Sequence, residues 1–259
     1  MDVSSHTSVW REIRKSGFKC YKIHISQKLH PGDSERRLQF CDWLQRRPDF
    51  PAFLENVIWT DESTFTNCGI FNRNNEHIWS INNPRQFREL RPQVRFSLNV
   101  WAGIYKNRIL GPHFFNGNLN AEMYYQFLTS TFEDYLDDLP LANYNSIWFQ
   151  HDGAPPHNTR QVSDYLSERF GDRWIGNNGP VRWPARSPDL NVLDTFLWGT
   201  LKNRIYGQGE YQNIEELQLN IVREFGRLRR REINRAVNNI QRRVAICLEN
   251  DGQHFEHLL

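Results

Sequence analysis

Three aspartates sit at well-marked places in this 259-residue chain. Asp61 closes the apolar run Asn56-Val57-Ile58-Trp59-Thr60. Asp152 closes a second run, Ser146 to His151. Asp194 ends the stretch Ser187-Pro188-Asp189-Leu190-Asn191-Val192-Leu193-Asp194. Two carboxylates at strand ends and one on a helix suit a two-metal phosphoryl-transfer site. Magnesium takes hard oxygen ligands, commonly one or two carboxylates with water and substrate phosphate. One aspartate bridging two ions, with one further carboxylate per ion, meets that need. Strand ends supply such groups rigidly because the sheet fixes the backbone beneath them.

Each acid also has an ordinary reading. Asp61 could simply end a strand. Asp152 is followed by Gly153-Ala154-Pro155-Pro156, which forces a sharp turn and is a less ordinary strand ending. Ser187 suits a helix N-cap and Pro188 the first helical position, so the spacing predicts a helix through Leu190, Leu193, Leu197 and Leu201. Asp194 then lies about two turns in, among leucines and Trp198, where a lone carboxylate is costly to bury without a partner. Asp189 is the rival, with a simple role as a first-turn charge favoured by the helix dipole. His151 and His157 fit no familiar zinc spacing and no cysteine is close. His157 is expected to contact substrate phosphate or metal-bound water, or to pack in the turn.

The elements that must hold these acids follow from periodicity. A turn at Pro31-Gly32-Asp33-Ser34 precedes a helix over 35–44, with Phe40, Trp43 and Leu44 on its buried side. His6 to Lys15 reads as a short helix. Asn56 to Thr60 and Ser146 to Gln150 read as buried strands, and 95–105 as a strand alternating Phe96, Leu98, Val100 and Ala102 with Ser97, Asn99, Trp101 and Gly103. Ile109 to Phe115 pairs back on it. Residues 70–72 and 77–79 form a hairpin-like pattern. Helical spacing marks 121–139, 159–170 and 212–248. The order predicts an α/β fold with a mixed sheet.

Composition sets limits. The chain is 39% hydrophobic and 14% aromatic, enough for a proper core, and its net charge is only +2, so charge alone does not establish a nucleic-acid partner. There is no apolar run long enough for a membrane span, and the first ten residues lack a signal-peptide core. Cys20, Cys41, Cys68 and Cys247 are scattered, which predicts free thiols in a reducing compartment.

Four stretches resemble the Tc1/mariner superfamily of transposases: Trp59 to Ser63, Val100 to Ile104, Gln150 to His157, and Trp183 to Asn191, with Trp198-Gly199 following. The resemblance runs from about residue 30 to the C-terminus. It implies an RNase H-like mixed sheet flanked by helices, with helical N- and C-terminal extensions. It also implies a catalytic triad at Asp61, Asp152 and Asp194, holding two Mg²⁺ (or Mn²⁺) ions. Such an enzyme cuts transposon ends and joins the freed 3′ hydroxyl to target DNA. The implied partners are double-stranded DNA and a second copy when DNA is bound, and the implied location is the nucleus. Two features depart from the common pattern. The third acid is aspartate rather than glutamate, and 41 residues separate Asp152 from Asp194. The expected division is residues 1–50 as a DNA-binding remnant with a linker helix, 51–210 as the catalytic domain and 211–259 as a helical extension. Residues 3–11 look like only the last helix of a second helix-turn-helix unit, so the expectation is a truncated copy.

Expected DNA contacts are Arg11, Arg14 and Lys15 near the start, His157, and Arg229, Arg230 and Arg231. The last three lie in a stretch, 223–243, with eight arginines against two glutamates, which suits phosphate contact or a solvated face. Arg73, Arg85, Arg88, Arg91 and Arg95 cluster where relatives carry a clamp-like insertion. Competing readings are a decayed or domesticated DNA-binding protein without turnover, and a hydrolase of RNA–DNA hybrids.

Overall fold

A computed structural model describes residues 15–16, 28–68, 94–207 and 210–259. Its sheet has strands β1 (Val57–Thr66), β2 (Ser97–Tyr105), β3 (Arg108–Phe115), β4 (Trp148–Gln150) and β5 (Trp174–Ile175), in the order β3-β2-β1-β4-β5. The first three are antiparallel neighbours, while β4 and β5 run parallel to β1. The helices are α1 (Asp33–Gln45), α2 (Ala121–Leu128), α3 (Thr131–Asp137), α4 (Arg160–Phe170), α5 (Trp198–Tyr206), α6 (Ile214–Gly226) and α7 (Arg230–Glu249).

The two-residue period of the strands separates two cores. Val57 and Trp59 of β1, with Leu98, Val100, Ala102 and Ile104 of β2, pack with α1, α5, α6 and α7. Ile58, Trp101, Tyr105 and Phe149 face the other way, onto α2, α3 and α4. The predicted mixed sheet is therefore covered on both faces. The helical extensions share one core with the sheet, since Phe40 and Leu44 of α1 lie in the same cluster as Leu217, Ile221, Val237 and Val244.

Several boundaries differ from the sequence expectation, each for a local reason. Residues 121–139 form two helices because Thr129 and Ser130 turn their hydroxyls back onto the carbonyls of Tyr125 and Gln126. Residues 212–248 break at Arg227–Arg229 between α6 and α7. Asp61 does not end a strand, because β1 continues to Thr66 on its β2 side. Only the β4 side ends, at the pair Trp59–Gln150. No described helix is long and apolar enough to cross a membrane. The predicted helix over 6–15, apart from Lys15, and the hairpin over 70–79 lie outside the described residues.

The largest departure is at Ser187. No continuous helix starts there. A short 3₁₀ turn, Pro188–Leu190, is followed by extended Asn191 and a π-type turn, Leu193–Leu197, which leads into α5. The cause is a competing set of side-chain bonds. Ser187 caps nothing, and its Oγ accepts from Arg37 at 2.9 Å. Asn191 Oδ1 accepts from Leu193 N at 3.0 Å, and its Nδ2 donates to the Thr60 carbonyl at 3.1 Å, tying this segment to β1.

Asp189 is no first-turn ornament. Its two oxygens each accept a 2.6 Å bond from Arg37 of α1, in a pair with side chains 0% and 4% exposed. Arg37 Nε also donates to Gly252 O, and Arg243 donates to the Asp189 carbonyl and to Glu256. Arg243 is thus buried rather than outward-facing as expected. Gly252 has φ +70°, and a Cβ there would sit 2.3 Å from the Ser34 carbonyl, so α1 can approach this turn only over a glycine. Breaking one partner of a buried ion pair strands the other charge. Asp189→Asn is therefore expected to destabilise the fold by about 3–5 kcal/mol in urea unfolding. A loss below about 1 kcal/mol, the scale of a surface pair, would contradict the clamp.

Candidate active site

Asp61 and Asp152 meet because β1 and β4 part between them. The last registered parallel pair is Trp59 with Gln150. Two residues further on along each strand stand Asp61 and Asp152, side by side where the ladder opens. Thr60 holds the fork, with its Oγ1 donating to Gln150 O at 2.7 Å. By strand alternation Asp61 shares the face of Val57 and Trp59, toward α5. The π-type turn brings Asp194 in over that face. All three acids, with Glu62, line one cleft of about 390 Å³.

Two side chains orient these acids: Trp198, to which the sequence reading gave no role, and His157, which it expected at substrate phosphate or metal-bound water or packed in the turn. Trp198 Nε1 donates to Asp61 Oδ2 at 2.6 Å. His157 places Nδ1 2.8 Å from Asp152 Oδ1 and Nε2 3.4 Å from Glu62 Oε2. The His157 ring is buried, lying on Tyr124 (centroids 4.2 Å apart) and parallel to His151 (4.9 Å). His151 reaches that place only because residue 176 is glycine, where a Cβ would fall 2.4 Å from its Nε2. The Asp152 carboxylate also accepts from Ala154 N at 2.9 Å, closing the turn foreseen at Gly153 to Pro156.

The electrostatics are those of crowded acids. Burial raises the Asp61 carboxyl well above the ordinary range, and the charges of Asp194, Glu62 and Asp152 raise it further. Asp194 is pushed up to about 7 by burial and then by Asp152, while the Lys202 ammonium of α5 opposes the shift. Burial also works against ionised Asp152, but the hydrogen bond and charge of His157 outweigh it and hold the carboxyl below its usual range. His157 is itself raised to about 10, because Glu62 and Asp152 outweigh its burial. Buried His151, beside charged His157, is drawn well below the normal imidazole range and stays neutral.

Two conclusions follow for ligands. Burial and neighbouring acids raise the proton affinity of Asp61 and Asp194, so a cation that binds them competes with protons. The donor set is carboxylate oxygen, with no cysteine among the residues lining the cleft, which suits a hard divalent ion. Glu62 Oε1 is buried without a hydrogen-bond partner, and Glu62, Asp152 and His157 place ligand atoms within 4.8 Å of one another. Because His157 Nδ1 already bonds Asp152, we take it as an internal cation that fixes the acids.

The other predicted contact residues are not in the cleft. Arg229, Arg230 and Arg231 are exposed at the start of α7 and do not line it. Lys15 is exposed, and Arg11 and Arg14 lie outside the described residues, as do Arg73, Arg85, Arg88 and Arg91. His157 is too buried for the DNA contact expected of it and faces two carboxylates instead. Cys41, Cys68 and Cys247 are free thiols.

Residues 56–218 match the family described as DDE superfamily endonuclease. The chain belongs to that family. It is 24% identical over 267 residues to the Tc3 transposase of Caenorhabditis elegans, covering 98% of this chain and 73% of that one. Its fold resembles the Mos1 transposase in a paired-end complex with the left transposon end (TM-score 0.76, 21% identity, 96% of this chain and 71% of that one). It also resembles the catalytic domain of the Mos1 mariner transposase (TM-score 0.67, 20% identity, 90% and 100%). The RNase H-like sheet and the Tc1/mariner kinship read from the motifs both stand.

Trp198 holds the Asp61 carboxylate through its indole N–H, so a cation bound at Asp61 would feel the loss of that bond. Loss of such outer partners commonly weakens metal binding about 10–100-fold. Trp198→Phe is expected to weaken Mn²⁺ binding by that factor in a calorimetric titration while the far-ultraviolet circular dichroism stays unchanged. Unaltered affinity would show that the indole does not orient the carboxylate.

Proposed function

We propose that the protein is a DNA transposase of the Tc1/mariner kind, cutting transposon ends and joining the freed 3′ hydroxyl to target DNA. The observation that carries the reading is the convergence of Asp61, Asp152 and Asp194 on one cleft, within a domain of the DDE endonuclease family. The catalytic work falls to residues 51–210, braced by helices from either side.

Asp61, Asp152 and Asp194 would together hold the divalent ions, and the charges of Asp152 and Asp194 both bear on Asp61. Its Oδ2 is held by Trp198, which fixes the carboxylate plane. Asp152 and Asp194 would each complete one of two ion sites. Bound Mg²⁺ or Mn²⁺ would supply activation of the attacking oxygen and charge stabilisation at the leaving one. The chain's own part is to hold the acids. His157 fixes Asp152 from behind, Asn191 ties the Asp194 segment to β1, and the Lys202 ammonium offsets the charge of Asp194. Aspartate in the third position offers the same carboxylate oxygens as glutamate on a shorter stem.

The exposed arginines Arg229, Arg230 and Arg231, with Arg11, Arg14 and Lys15, are proposed to grip DNA phosphates, which positions a duplex without reading its sequence. A second copy on paired DNA ends and a nuclear location belong to the same reading.

Asp152→Asn keeps the side-chain shape and removes a ligand charge. It is expected to slow Mg²⁺-dependent nicking of supercoiled plasmid more than about a hundredfold, beyond the loss seen for outer-sphere partners. Unchanged nicking by the variant would refute the assignment. Salt-sensitive DNA binding without nicking by the wild-type chain would favour a binding protein that no longer turns over.

A further inference from the structure

Beside the catalytic cleft lies a second groove, of about 600 Å³, between α1 and the segment that follows β5. Arg36, Phe40 and Trp43 form one wall, and Arg182, Trp183 and Ala185 the other. Trp183 and Ala185 also line the catalytic cleft, so the two spaces share a wall. No carboxylate lines the groove. Asp33 of α1 is already gripped by Arg186 through two guanidinium nitrogens, Nη2 at 2.6 Å, and Glu35 of α1 accepts from the groove residue Gln39 at 3.3 Å. Arg36 is left with a 3.3 Å contact to the same aspartate and a side chain 57% exposed. Arg182 is exposed and makes no ion pair among the described residues.

Aromatic surface combined with exposed arginines is the chemistry that takes unpaired nucleotides. Bases stack on the rings and the cations follow the phosphates. Trp43 is half-buried and stacks on Phe40 (5.9 Å, 27°), which in turn meets Trp183 edge-on at 5.1 Å. The volume is that of a small-ligand site, in the range of about 300–1,000 Å³, so it fits a short unpaired stretch rather than a duplex.

We propose that this groove binds a single-stranded segment of the DNA that passes through the catalytic cleft. The inference rests on the reading of that cleft as a DNA-cleaving centre. Phosphates sit on Arg36 and Arg182, and a base lies against Trp43. Such a site would hold the strand ends apart once the scissile bond is open.

The test is binding of a fluorescein-labelled oligothymidylate of about ten nucleotides, read by anisotropy in EDTA across a salt series with the full chain. The double variant Arg36→Ala/Arg182→Ala is expected to bind about tenfold more weakly. Its slope of log affinity against log salt should shrink by about 1.4, the share of two single-strand phosphate contacts. A duplex of the same length should lose less. Trp43→Leu is expected to weaken the oligothymidylate by about tenfold through lost stacking. Both arginines are exposed, so the double variant keeps the test open if Trp43→Leu fails to fold. Wild-type affinity and slope in the double variant, or an equal loss for duplex and single strand, would overturn the proposal. Because no metal is present, the two readings fail separately. Nicking by a wild-type chain that does not bind the oligothymidylate removes the groove alone. Binding through both arginines without nicking removes the catalytic reading alone.

Discussion

The fold is organised around acids that repel one another. Asp61, Asp152, Asp194 and Glu62 share a cleft that raises the proton affinity of Asp61 and Asp194. Left to relax, such side chains would turn apart toward water. The three aspartates stay because each is fixed from behind: Asp61 by the Trp198 indole, Asp152 by His157 and the Ala154 amide, and the Asp194 segment by Asn191. The charge crowding is costly to stability and is retained at the one place where divalent cations would reverse its sign. Strain of this kind is expected where function and stability compete.

That arrangement needs a rigid connection between the sheet and the third acid, and α1 and α7 supply it. The Arg37–Asp189 pair pins the short turn before Asn191, while Gly252 lets α1 close on the turn that follows α7. The helical extensions therefore form part of the catalytic scaffold, because the same cluster of apolar side chains runs from Phe40 through Leu193 to Val244. The second groove grows from this architecture as well. Placing α1 against the segment after β5 leaves a channel whose wall is shared with the cleft.

Much of this was legible in the sequence, for reasons that can be named. The strict alternation of residues 96–103 specified a strand facing two cores. Gly153 with two prolines marked the turn after Asp152. The helical spacing of residues 212–248 came from the stripes Leu217-Ile221-Phe225 and Ile233-Val237-Ile240-Val244, now the buried faces of α6 and α7. What was not legible depended on partners far along the chain. Ser187-Pro188 is a sound local helix start, but Arg37, 150 residues away, takes the serine hydroxyl. Asp189 looked like a dipole charge because nothing local names Arg37 as its partner. Glu62 and Trp198 lay within the quoted motifs, yet their roles became visible only when β1 met the π-type turn. His157 was singled out correctly as a residue of interest, but its burial between two rings could not be read from spacing. The basic stretch 223–243 also overstated its free charge, since Arg227 pairs with Glu224 and Arg243 with Glu256.

The central claim is that three distant aspartates act together as a divalent-cation site. Anomalous diffraction from crystals soaked in Mn²⁺ tests it most directly, because the scattering locates each ion without reference to activity. The account predicts density touching Asp61, with Asp152 and Asp194 completing the coordination. An ion held by Glu62, Asp152 and His157, with Asp61 and Asp194 both unliganded, would contradict it.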